Sequence, residues 1–167
     1  MNYYGAKELA DSFRTVRKNT IQVAEDIPED QYGFTPAEGT RSIGRTLAHI
    51  ALSPQFQHTI HARERRSSFE GFDFPTLMKR MADQEAPERM KSKIVELLQT
   101  EGEVWASFLD GVSEVFLAES FAMPPGATPA SKSRFEMLLS VKEHEMHHRG
   151  QLMVAQRALG IVPHLTR

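Results

Sequence analysis

His144-Glu145-Met146-His147-His148 sets two imidazoles four residues apart, a spacing at which two ring nitrogens can grip one metal ion. On an α-helix, residues four apart differ by about 40° around the axis. His144 and His148 therefore leave the same face one turn apart. The segment also reads His-Glu-x-x-His, the pattern in which a glutamate beside the first ligand acts as general base on a zinc-bound water. A solvated, histidine-rich helix face is the alternative that five residues alone leave open. Gln151 stands about 20° from His144 on the same face, whereas His147 diverges from His148 by about 100°. That divergence puts His147 outside the coordination sphere.

A catalytic metal site normally uses a third protein ligand and leaves positions for water. No acidic residue follows Glu145, and Arg149-Gly150-Gln151 after His148 breaks the extended three-histidine protease motif, so His164 is the only later candidate. A di-iron carboxylate bundle needs two Glu-x-x-His motifs, and this chain has one. The better third ligand is His49, flanked by Leu47, Ala48 and Ile50 in a context too apolar for a surface histidine. Taken alone, His49 reads equally well as a hydrogen-bonded core residue; beside the His144 and His148 pair, the ligand reading gains. His58 and His61 fall about 180° and about 120° from His49 on an ideal helix, which assigns both to the surface. Pro54, between His49 and His58, can bend the helix and reorient the turns beyond it.

Four long helical patterns must position these residues. Leu9, Phe13, Val16, Val23 and Ile27 give the first, over Ala6 to Ile27, stopped by Pro28. Ser42 caps the second, which carries Ile43, Leu47, Ile50, Phe56 and Ile60 and bends at Pro54 before ending near Arg66. A long connection comes next, with aromatics Phe69, Phe72 and Phe74 and one short helix at Leu77 to Met81. The third helix is expected from Pro87, with Glu88 in its first turn and Met90, Ile94, Leu97, Leu98, Trp105 and Phe108 buried, to Gly111. Val112 to Pro129, containing Pro124-Pro125-Gly126, reads as a crossover loop with some extended chain. The fourth helix runs from Lys132 to Leu159, opened by a Ser133/Glu136 capping box and closed by Gly160. His148 interrupts its apolar stripe of Leu138, Val141, Leu152, Ala155 and Leu159, and so points inward.

The 167 residues suffice for one domain with a substantial core, and 20 Lys and Arg against 22 Asp and Glu leave a formal charge of -2. That balance offers nothing to hold a polyanion, so nucleic acid is disfavoured as a partner. Arg63, Arg65 and Arg66 form the densest basic run and read as a solvated helix end. With no cysteine, any metal is left to nitrogen and oxygen donors. Met1-Asn2-Tyr3-Tyr4-Gly5 lacks the features of a signal peptide, and no run reaches the ~20 apolar residues of a membrane span. A cytoplasmic protein without a membrane partner is the expectation.

Phe34-Thr35-Pro36, Ser42-Ile43-Gly44 leading to Leu47-Ala48-His49-Ile50, and His144 followed by His147-His148-Arg149-Gly150-Gln151-Leu152 together resemble the DinB/YfiT-like metalloenzyme family over nearly the whole chain. The resemblance implies an all-α four-helix bundle with up-down-down-up topology and long loops around helix three, as one domain over residues 1–167. It implies that His49, His144 and His148 coordinate one divalent ion, nickel or zinc, and that the chain forms a homodimer. It also implies a small-molecule substrate, such as a low-molecular-weight thiol, and thiol transfer or metal-assisted hydrolysis. A metal-stabilised bundle that binds a small molecule or partner without catalysis is the competing function. Glu145 is the candidate general base, with a helper role or a solvated position as its alternatives. Arg149 is a candidate for an anionic substrate or for a salt bridge. The pocket is expected between helices two and four, with walls from the Phe69 to Phe74 and Met123 to Thr128 loops.

Overall fold

The structure, a computed structural model, describes residues 4–166; Met1, Asn2 and Tyr3, part of the N-terminus considered for a leader, lie outside the described residues, as does Arg167. Helix α1 spans Ala6–Asp26 and α2 spans Ile43–Leu52, followed by α3 (Pro54–His58). A π-helical turn, Thr59–Arg63, continues α3. Then come α4 (Phe74–Glu85), α5 (Lys91–Gly111), α6 (Glu114–Ala118), strands β1 (Ser120–Ala122) and β2 (Ser131–Ser133), and α7 (Arg134–Ala158).

The four-helix bundle consists of α1, the α2–α3 unit, α5 and α7. Near one end, Val23 of α1 and Ile27 just beyond it pack with Ile43, Leu47, Ile94, Leu98, Leu152 and Ala155. Near the other, Leu9 and Phe13 pack with Trp105, Leu109, Leu138 and Val141. Sequence number thus rises together along α1 and α7 and falls along α5. The Gln55–Glu101 hydrogen bond and the His58 ring against Phe108 set the α2–α3 unit parallel to α5. The result is the up-down-down-up order. None of the helices among the described residues is long and apolar enough to cross a membrane.

Helix ends follow local chemistry. The Ser42 hydroxyl accepts from the Arg45 amide at 3.3 Å, and the Ser133/Glu136 capping box forms as expected. Pro54 has no N–H to offer the Ile50 carbonyl four residues back. That oxygen accepts instead from the Ser53 hydroxyl at 3.1 Å and from the Arg17 guanidinium at 3.3 Å. Arg17 also donates to the Leu98 carbonyl at 2.7 Å and forms a two-pronged pair with the Glu145 carboxylate, the Nη2 contact being 2.9 Å. One buried guanidinium from α1 therefore touches α2, α5 and α7. Gly102 of α5 makes room for it, because a Cβ there would sit 3.0 Å from Arg17 Cγ.

Four expectations change. Helix α5 begins at Lys91, not Pro87, so Glu88 precedes it and Met90 is 63% exposed. Arg89 folds back onto the Pro87 and Gln84 carbonyls and keeps this stretch out of the helix. Helix α4 extends well beyond Leu77 to Met81, because Asp73 caps it by accepting from the Thr76 amide at 3.0 Å and Pro75 suits a first turn. The segment before α7 holds α6 and an antiparallel β1–β2 pair in addition to loop.

The fourth change is His61, which is 1% exposed rather than on the surface. The bend at Pro54 and the wider π-helical turn shift the phase of the side chains beyond them. Arg134 donates to His61 Nδ1 at 2.8 Å, and Phe121 packs against the ring. Burial first, and then the Arg134 charge, lower its pKa to about 4. The folded chain therefore resists a proton that the unfolded chain accepts below about 6.5. His61 favours folding above that value and loses this contribution as pH falls towards about 4. Urea unfolding between those limits should show a stability that rises with pH, and His61→Gln should flatten the slope by up to about 1.4 kcal/mol per pH unit. Identical slopes for both proteins would contradict this.

Candidate metal centre

His49 lies on α2 and His144 and His148 lie on α7, and antiparallel packing of these helices brings their rings together. His144 Nε2 stands 3.2 Å from His49 Nε2 and 3.1 Å from His148 Nε2. One ligand nitrogen from each residue lies within 4.8 Å of the other two. With a metal–nitrogen bond of about 2.0–2.1 Å, two ligands come ~2.9 Å apart at a right angle and ~3.3 Å apart at the tetrahedral angle. The two observed separations fall between these limits.

Proton bookkeeping points the same way. His49 Nδ1 is 3.0 Å from Glu85 Oε2, and a carboxylate only accepts, so the proton sits on Nδ1 and His49 Nε2 is bare. His148 Nδ1 faces Gln151 Oε1 at 2.8 Å, which likewise places its proton on Nδ1. Two lone pairs then converge on His144, whose single proton can serve only one of them well. A cation satisfies all three. Burial lowers the pKa of each histidine, that of His144 to about 4, so the rings are neutral and ready to ligate at pH 7.

Glu85, at the end of α4, is the residue that sequence reasoning missed. It is 8% exposed and is held by the Arg41 Nε at 2.5 Å, with Arg45 at 3.7 Å. Burial opposes its charge, but Arg41 and His49 outweigh that and hold its carboxyl below the usual range. A carboxylate behind a ligating histidine fixes ring orientation and raises basicity. The available signal was the Asp73 cap and Pro75, which mark where the helix that carries Glu85 begins.

The other candidates separate from the triad. Glu145, 1% exposed, is taken up by the Arg17 pair and is not solvated. One step along the helix turns its side chain about 100° from that of His144. Arg149 donates to the Val16 carbonyl at 3.1 Å, which is neither of its expected roles. His147 is exposed and meets the Gln151 amide at 3.2 Å, outside the triad as expected. His164 lies against Asn19 of α1, and His58 sits by Phe108.

An open cavity of about 590 Å³ adjoins His148. Its walls are α2, α7 and the loop containing Pro36, Gly39 and Thr40. The expected loop walls are absent from it: Phe69, Phe72 and Met123 instead pack with Phe56, Ile60, Phe121 and Met137 in a minor core. Tyr32 anchors the real wall, its hydroxyl donating to the Ala24 carbonyl at 2.8 Å and its carbonyl accepting from the Gly44 amide at 2.8 Å.

The model of the DinB family matches residues 1–167. The uncharacterized protein YjoA of Bacillus subtilis is 24% identical over 155 residues, covering 93% of this chain and 91% of that protein. The crystal structure of that DinB-like protein superposes with a TM-score of 0.65 over 92% of each chain. YfiT of Bacillus subtilis, described as a probable metal-dependent hydrolase with an unusual four-helix bundle topology, gives a TM-score of 0.70 at 14% identity, covering 96% of this chain and 91% of that one.

Proposed function

The chain belongs to the DinB family, and we propose that it is a metal-dependent hydrolase of small molecules, built as one helical-bundle domain over residues 1–167. The observation that carries this reading is the convergence of three neutral Nε2 atoms, two of them stripped of their proton by Glu85 and Gln151. His49, His144 and His148 would hold one divalent ion, zinc or nickel by ligand type. Such an ion polarises an electrophile and acidifies a water or thiol bound beside it. Glu85 holds the His49 ring and Gln151 the His148 ring, so both ligands are oriented before an ion arrives. Ile43, Leu152 and Ala155 contribute apolar residues to the adjoining cavity. The description of YfiT as a probable metal-dependent hydrolase favours hydrolysis over thiol transfer.

The test is made on protein purified without a histidine tag, loaded with zinc or nickel and assayed against a panel of small esters and amides. We expect about one ion per chain by elemental analysis, and turnover that chelation abolishes and metal restores. Absence of a stoichiometric ion, or hydrolysis indifferent to chelation, would sink the reading.

A further inference from the structure

The cavity beside His148 has only two charged lining residues, Arg41 and Arg45, and no carboxylate among its described lining. Arg41 is committed to Glu85, whose second oxygen serves His49. Arg45 is held more loosely: its guanidinium forms an ion pair with Glu85 at 3.7 Å but makes no hydrogen bond among the described residues, and its side chain is 51% exposed. It lies one helical turn before His49 on the same face of α2. This is an unfavourable place for a cation, since the N-terminal turn of a helix is its positive end, and no acidic residue occupies that turn of α2. Glu85 hydrogen-bonds Arg41 alone, and the N–H groups of the Arg45 guanidinium are left without a hydrogen-bond acceptor among the described residues. The remaining wall mixes the polar Thr40, Thr46, His148 and Gln151 with the apolar Pro36, Ile43, Leu152, Val154 and Ala155, and the volume suits a small organic molecule.

We propose that this cavity takes an amphiphilic carboxylate. Arg45 holds the anionic group through its planar fork, and the hydrocarbon part lies against the exposed apolar side chains of Pro36 and Val154, beside His148. The proposal rests on reading the same cavity as the substrate pocket of the metal site. It moves the anion-binding role from Arg149, which is spent on the Val16 carbonyl, to Arg45.

Hexanoate and its neutral isostere hexanamide serve as probes, titrated by NMR into zinc-loaded and metal-free protein. Hexanoate should bind about tenfold more tightly than hexanamide in both forms, because the guanidinium and not the ion selects the charge. Arg45→Gln should erase that preference while zinc content stays at the wild-type level, and Arg45→Lys should retain part of it. Equal binding of the two probes by wild type, or a preference that survives Arg45→Gln, would overturn the proposal. Failure of the metal reading shows separately, as absent zinc together with an intact carboxylate preference in the metal-free protein.

Discussion

Arg17→Met is expected to cost about 3–5 kcal/mol of folding stability, the typical penalty for removing one partner of a buried ion pair. Glu145 is 1% exposed and would lose the guanidinium that meets both of its oxygens, and the Leu98 carbonyl would lose the donor it now has at 2.7 Å. The hydrophobic gain of a methionine is small by comparison, since the methylenes of Arg17 are already packed beside Gly102. At this chain length each kcal/mol moves the midpoint by roughly 2–4 °C, so thermal unfolding should shift down by about 6–20 °C. The double variant Arg17→Met with Glu145→Met should recover most of the loss, because it removes the stranded charge along with the pair. A single variant as stable as wild type would show that the pair carries no such burden.

His144→Ala should abolish stoichiometric metal binding, weakening affinity by more than about 100-fold. That bound follows because even partners behind a ligand are worth 10–100-fold, and His144 is the nitrogen that both other Nε2 atoms face. Glu85→Gln should fall inside that lower range, since an amide can still meet His49 Nδ1 but cannot match the charge of the carboxylate. His147→Ala, at an exposed position facing Gln151, should leave affinity nearly unchanged. Competition against a chromogenic chelator ranks the four proteins. Metal retained by His144→Ala at wild-type affinity would remove the triad as the binding site.

The helices that carry the three histidines were legible because their signals are local. Ser133 and Glu136 announce a helix start three residues apart, and the apolar rhythm through Leu138, Val141 and Leu152 leaves His148 on the inner face. His49 stood out for the same reason, as a polar ring within an apolar run. The features that stayed hidden depend on distant partners. Glu145 looks like the base of a protease motif until Arg17, 128 residues away in the chain, claims it. Glu85 rides on α4, which buries only Leu77 and Glu85 itself, so no apolar stripe marks how far that helix runs. His61 was misplaced because rotation by 100° per residue fails once a proline bend and a π-helical turn intervene.

The Arg17 contacts also govern how the ligands meet in height. Rows of leucine and isoleucine would let one helix creep past another by a turn, ~5.4 Å, exchanging each apolar neighbour for the next. A guanidinium with directional partners on three other helices allows no such exchange. The partners it holds include Ile50, which follows His49 on α2, and Glu145, which follows His144 on α7. Each of these clamped residues is the immediate neighbour of a histidine of the triad. The buried polar pair thus works as a vernier between two antiparallel rods, setting their axial register to a fraction of a turn so that imidazoles from different helices arrive at one level.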